Sequence, residues 1–484
     1  MHFLRLVTVV FVLLATICVV KTDADGSGAS SRETTSAGMF FSPYLNKSID
    51  EAVNKSKVKI FKDIADVDAY SGYISLSAQS HLFFLLTKAP EDIRDSAPLL
   101  LWLYGGPGKS SMWAQFLENG PVGINATGDL FKRSETLQEY ASVIYLDQPA
   151  GAGLSIIKNY TDPQNYAHTL EDMSEMIEQF MKQFLIFFPE YIGRSFYIAG
   201  ESYGARAALG FGERLKCTPI EDGINLTLSG LILGAGFLAP IVDLMDSTEF
   251  LYQTSLLNDT GRMIFNKTFA KIRELSKRNT TLALYLLSTT VFNLRSGGEK
   301  SLFQNLTGFR AQRSALYSIL PPEVEAYVNY TNSSDFKQSL HVPLKVQIDS
   351  LRPMVTLMLR QDLFTDITAT FKSALEHQNI LLYTGQVDTL FPSMNFRKYF
   401  STVQWNKKQE FENAGRNTWS TCRNPRRVAG YIESITNFSY AVVLRAGHHT
   451  TLDEPSSVYH LTSSFIKDGN FENNLKCIPV SACQ

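Results

Sequence analysis

The stretch Gly200-Glu201-Ser202-Tyr203-Gly204 constrains this chain more than any other. A strand-like run, SFYIA, leads into it and a helix-forming run, ARAALGFGERL, leads out of it. A serine spaced between two glycines is a common string. Between a strand and a helix it describes a sharp turn that exposes the hydroxyl at its tip. The backbone there is strained and leaves no space for side chains two residues away on either side, which is why both positions are glycine. The helix that starts after Ser202 aims its amide dipoles at negative charge developing beside the hydroxyl.

The rest of the pattern supplies a sheet for that turn. Ser71 to Thr87 reads as two strands of a hairpin. Apolar runs at Leu99 to Tyr104, Ser142 to Leu146, Phe196 to Ala199 and Leu231 to Leu233 have the length of buried strands. Leu170 to Phe187 has apolar residues at helical spacing and stops at Phe188-Pro189. Strands alternating with helices predict a mostly parallel central sheet covered by helices. From about 241 to 350 the chain is polar and helical in periodicity, and reads as an inserted, mainly helical cap. Sheet patterning returns at Ile380 to Tyr383 and Tyr440 to Leu444.

On such a sheet an acid and then a histidine are expected on loops after later strands, in the chain order of an α/β-hydrolase. Asp388 follows ILLY in ILLYTGQVDTLFP, and His448 follows YAVVL in YAVVLRAGHHTTLDEP. Ser202, Asp388 and His448 are therefore the candidate catalytic residues. Gly105 and Gly106, in WLYGGPGKSS, lie on the loop after an earlier strand, where a backbone amide must come close to the reacting carbonyl. The amides of Gly106 and Tyr203 are the candidate oxyanion hole. This chemistry calls for no cofactor and no metal.

A net charge of −2 carries no electrostatic footprint for nucleic acid, and the cluster Arg423, Arg426 and Arg427 reads as a solvated face. The apolar run from Leu6 to Val20 reads as a signal peptide over 1–20, too short for a span, so no stable membrane insertion is expected after cleavage. Residues 21–38 read as a flexible leader. The expected core then runs over 39–240 and 351–484, on either side of the cap. Twelve N-x-S/T sequons, from Asn46 to Asn437, argue for a glycosylated exterior and export to an extracellular or lysosomal destination. Cys217, Cys422, Cys477 and Cys483 allow three disulfide pairings and lack metal-ligand spacing. Oligomeric state has no signature here.

Taken together, LWLYGGPGKSSMWAQFLENGP, YLDQPAGAGLS, FYIAGESYGAR, GQVD and AGHHTTLDEP resemble the serine carboxypeptidase family, in particular its vitellogenic-like branch. The resemblance implies peptide substrates with a free C-terminal carboxylate, cleaved through an acyl-enzyme on Ser202 at acid pH. It also implies that Glu118 and Glu201, with Gly105 and the residue before it, hold that carboxylate. The chain departs from the family pattern at several points. Tyr104 stands where the family has an amide side chain, and its hydroxyl donates from a longer arm. Lys109 replaces a cysteine, so the loop must be held without that disulfide. Lys109 is expected to face solvent, the alternative being a place near the carboxylate pocket. Ala235 lacks a polar side chain, and His449 replaces an apolar residue. A catalytically idle binding or protective glycoprotein, and an acyltransferase with the same triad, are the competing readings.

Overall fold

The structure is a computed structural model that describes residues 38–217, 224–291, 299–421 and 423–469. The expected signal peptide and nearly all of the leader, together with Cys422, Cys477 and Cys483, lie outside these residues, as does the side chain of Cys217.

Among the described residues thirteen strands form in chain order. They are β1 (Ala69–Ser75), β2 (Ser80–Thr87), β3 (Leu99–Leu103), β4 (Val122–Ile124), β5 (Leu130–Lys132), β6 (Ser142–Leu146) and β7 (Ile156–Ile157), then β8 (Ser195–Glu201), β9 (Thr227–Gly234), β10 (Ile380–Gly385), β11 (Arg416–Thr421), β12 (Asn424–Ile435) and β13 (Phe438–Val443). The main sheet runs β1-β2-β6-β3-β8-β9-β10-β13-β12-β11, with β7 against β2, while β4 and β5 pair separately. From β6 through to β13 every neighbouring pair in that order is parallel. β3 and β6, apolar at nearly every position, are buried along their full length, as strands covered on both faces must be.

The sheet's antiparallel edges divide into one that was expected and one that was not. The hairpin β1–β2 sits where the alternation of Ser71 to Thr87 put it. The meander β11–β12–β13 was read from sequence only in its last strand. Its outer strands are polar because they are half solvated, and the exposed Arg423, Arg426 and Arg427 lie in or beside β12.

The helix Leu170–Phe187 has the bounds its periodicity predicts. Thr169 and Asp172 close a reciprocal cap at its start, and Met173, Ile177, Phe180, Met181 and Phe184 form its buried face. Each buried phenylalanine contributes roughly 2 kcal/mol of transfer free energy. Between β9 and β10 the described residues form helices and no strand, the longest being Asp259–Ser276. Pro321-Pro322 opens a helix there, Pro322 occupying the first turn, where a missing N–H costs nothing.

Parallel neighbours end at one edge of the sheet. The loops that leave β3, β8, β9, β10 and β13 therefore meet there, bringing together residues more than 300 positions apart in sequence.

Candidate active site

Ser202 follows β8 directly and adopts a left-handed backbone, φ 56°, ahead of the helix Tyr203–Cys217. Its amide donates to Gly234 O at 2.8 Å and its carbonyl accepts from Phe237 N at 3.0 Å, so the turn is tied to the end of β9. A Cβ on Gly200 would lie 2.3 Å from the Gly204 backbone, and one on Gly204 would lie 2.2 Å from Leu103 O. Steric exclusion at both positions is thus the reason for the glycine spacing.

His448, on the loop after β13, places Nε2 3.1 Å from Ser202 Oγ and Nδ1 2.9 Å from Asp388 Oδ2. Asp388 is fully buried, and its other oxygen accepts from the amides of Leu390 and Phe391 at 2.7 and 2.9 Å. With Oδ1 saturated by two donors, Oδ2 takes the Nδ1–H and leaves the Nε2 lone pair facing the serine. Phe391 meets the imidazole edge-on at 4.9 Å between centroids. The backbone of His448 donates to Arg313 O at 2.7 Å, and Arg313 pairs with Asp453 at 2.6 Å, which fixes the loop.

The Gly105–Lys109 loop runs past the serine. A Cβ on Gly105 would meet Ser202 Cβ at 2.8 Å, so only glycine allows this approach. Gly105, Gly106, Ser202 and Tyr203 all line one cleft. The Tyr203 hydroxyl donates to Asp362 at 2.5 Å, and buried Arg206 binds the same carboxylate oxygen at 2.8 Å, anchoring the start of the helix. The loop that lacks its cysteine is held by buried Asp147, at the end of β6. This carboxylate accepts from Ser110 Oγ at 2.8 Å, Ser111 N at 2.6 Å and Leu154 N at 2.7 Å. Asp349 takes the Ser110 amide at 2.9 Å. Burial pushes the Asp147 carboxyl up to about 7.

Glu118 and Glu201 lie close enough to act on one another electrostatically. Glu118 sits in a π-helical turn, Ala114–Asn119. Its Oε1 accepts from Trp113 Nε1 at 2.9 Å and from the Tyr104 hydroxyl at 3.2 Å. Glu201 Oε1 accepts from Thr451 at 2.7 Å and Tyr383 at 2.8 Å. The Oε2 atom of each is buried with no hydrogen-bond partner among the described residues, and a proton retained on the pair relieves the repulsion between them. Burial raises both carboxyls, Glu118 well above the usual range, and the neighbouring Glu201 raises Glu118 further. Tyr104, Gly105 and Glu201 line the cleft, whereas Glu118 stands outside its lining.

Two residues lie where the sequence did not put them. Lys109 is half-buried rather than free in solvent. It lines the cleft with Nζ 3.9 Å from the Trp113 ring centre, and burial with the nearby Arg352 lowers its ammonium to about 8. His449 is half-buried and packs against Trp113, and its Nδ1 lies 3.0 Å from the Tyr104 hydroxyl. Burial holds its imidazole neutral, well below the ordinary histidine value. Gln312, Arg313 and Arg352 also line the cleft, and nothing in their local sequence marks them as site residues.

Sequence comparison with known proteins points to one family. The sequence pattern of the serine carboxypeptidases matches residues 60–468. The venom serine carboxypeptidase of Apis mellifera is 28% identical, covering 90% of this chain and 91% of its own. The vitellogenic carboxypeptidase of Aedes aegypti is 28% identical over 94% and 97% of the two chains. Among solved structures, a prohormone-processing carboxypeptidase from Saccharomyces cerevisiae, Kex1(Δ)p, superposes with a TM-score of 0.69 at 19% identity, covering 88% of this chain and 98% of that one. That likeness establishes the α/β-hydrolase fold. The family match runs from the first helices to the last, and the chain belongs to the serine carboxypeptidase family of peptide hydrolases.

Proposed function

We propose that Ser202, His448 and Asp388 remove the C-terminal residue of peptides through an acyl-enzyme. The observation that supports this reading is the unbroken chain of contacts from Ser202 Oγ to His448 Nε2 and from Nδ1 to buried Asp388. His448 takes the Ser202 proton as Oγ attacks the last peptide carbonyl, and Asp388 stabilises the imidazolium that results. The negative charge on the carbonyl oxygen falls between the amides of Gly106 and Tyr203. His448 then protonates the leaving nitrogen, the terminal residue departs, and water attacks the ester with His448 again as base.

The Glu118–Glu201 pair receives the substrate carboxylate, with Tyr104, Gly105 and Glu201 at the cleft wall and Glu118 behind them, hydrogen-bonded to Tyr104. Three carboxyl groups at one place cannot all be ionised, so binding requires a retained proton. This makes the reaction one of acid pH. The location that fits is the secretory pathway, extracellular or lysosomal. It is supported by the sequon asparagines, every one of which is exposed or half-buried among the described residues. No described helix is long and apolar enough to cross a membrane.

A fluorophosphonate probe tests the nucleophile. It should label the glycosylated protein at one serine, and Ser202→Ala should abolish the labelling. An unlabelled wild-type protein would favour the idle binding or protective glycoprotein.

A further inference from the structure

We propose that Lys109 and Arg352 form an anion-binding subsite on the leaving-group side of the cleft, and that it selects substrates whose C-terminal residue is aspartate or glutamate. The proposal rests on the carboxypeptidase reading given above.

The cleft has two unlike halves. Phe237, Ile241, Met245, Leu363, Leu390 and Phe391 make an apolar wall. Lys109, Arg313, Arg352, Glu201 and His449 make up its charged and polar lining. A peptide whose terminal carboxylate reaches Glu201 lays its last residue along the charged half and its penultimate residue against the apolar half.

Two of the cations in the charged half lack a counterion. Arg313 is neutralised by Asp453 at 2.6 Å. Lys109 Nζ makes no ion pair and no hydrogen bond among the described residues, its one partner being the face of Trp113. Arg352 Nε is buried with no hydrogen-bond partner, and the guanidinium makes no ion pair among the described residues. Asp349 acts on both cations only at longer range, and its Oδ1 is engaged by the Ser110 amide. Withdrawing charge even partly from water without a partner is costly, and unpaired cations that line a cleft point to a ligand of opposite charge. A carboxylate side chain on the departing residue supplies the missing partner. Arg352 offers a planar fork and Lys109 a point charge, a combination suited to a carboxylate. The same two charges oppose a terminal lysine or arginine.

Blocked dipeptides that share one acyl residue and end in Glu, Gln, Leu or Lys test the proposal. They would be assayed on the glycosylated enzyme at about pH 6, where a glutamate side chain is ionised. The readout is the ratio of kcat/KM for Glu over Gln, in which the fraction of correctly folded enzyme cancels. The expected ratio is about tenfold or more, with Lys the poorest substrate. In Lys109→Met and in Arg352→Met, each keeping most of the side-chain bulk, the ratio should collapse toward one. A wild-type ratio of one or less, or a ratio untouched by both substitutions, overturns the subsite while Leu and Gln turnover leaves the carboxypeptidase reading standing. No cleavage of any of the four overturns that reading, and the subsite with it.

Discussion

The hydroxyl of Tyr104 lies 3.0 Å from Nδ1 of His449, across 345 positions of sequence. Each position reads from the sequence as a departure from the family pattern, and in the fold the two side chains touch. Tyr104 gives its proton to Glu118 and takes the Nδ1–H of His449, so the tyrosine, the histidine and the acid pair form one relay.

The relay predicts coupling between the two positions. Tyr104→Phe leaves an imidazole N–H without an acceptor and should destabilise the protein by about 1–3 kcal/mol. His449→Leu removes that orphan. The double variant should therefore lose less than the sum of the singles, with a coupling of about 0.5–3 kcal/mol in denaturant melts. Strict additivity would show that the contact carries no energy.

Adjacent histidines separate by role. His448→Ala should reduce kcat by several orders of magnitude, on the order of 10⁴-fold or more, because both proton transfers pass through Nε2. His449→Ala should cost far less and act mainly on KM, since its ring supports Tyr104 and Trp113 and stands apart from the serine. Steady-state kinetics on one blocked dipeptide distinguishes them, and equal losses would refute the assignment within the pair.

The acid pair sets the pH profile. Glu118 and Glu201 are both raised, by burial first. As pH rises their retained proton is lost, repulsion grows against the substrate carboxylate, and KM should climb toward neutrality before kcat falls. A peptide amide lacks the third carboxylate and should escape most of that climb. Glu118→Gln should move the alkaline limb upward. Superimposable profiles for acid and amide would argue against carboxylate binding at this pair.

Stability follows the same protons. A carboxyl whose pKa is higher folded than unfolded contributes stability below its unfolded value and loses it as pH rises through the folded one. Asp147, raised to about 7, spans a window that opens at about 4, the unfolded value. The glutamate pair, raised likewise, adds to the same slope. Tm should fall between about pH 5 and pH 8, and Glu118→Gln should flatten the fall. Lys109, lowered to about 8, contributes the opposite slope only above that pH. A Tm that rises over the interval would contradict the buried-acid account.

Much of this was legible because steric exclusion leaves marks in sequence. The turn at Ser202, the glycines around it and the strands before Asp388 and His448 are local patterns with local causes. The helix Leu170–Phe187 likewise carries its own start signal, period and stop. The outer strands β11 and β12 were not legible, since a half-solvated edge strand has neither continuous apolar residues nor strict alternation. Lys109 was placed in solvent because a lysine after a loop gives no sign of the tryptophan four residues later that covers it. Arg352 reaches the cleft from a distant segment, and no sequence period encodes that approach.

Release of a single residue from a free-acid peptide tests the central claim most directly. A decapeptide and its C-terminal amide, each incubated with the mature glycosylated protein at about pH 5, would be followed by mass spectrometry. The account predicts stepwise shortening of the free acid from its C-terminus, slow or no shortening of the amide, and loss of both in Ser202→Ala. Internal cleavage, or shortening that survives Ser202→Ala, would contradict it.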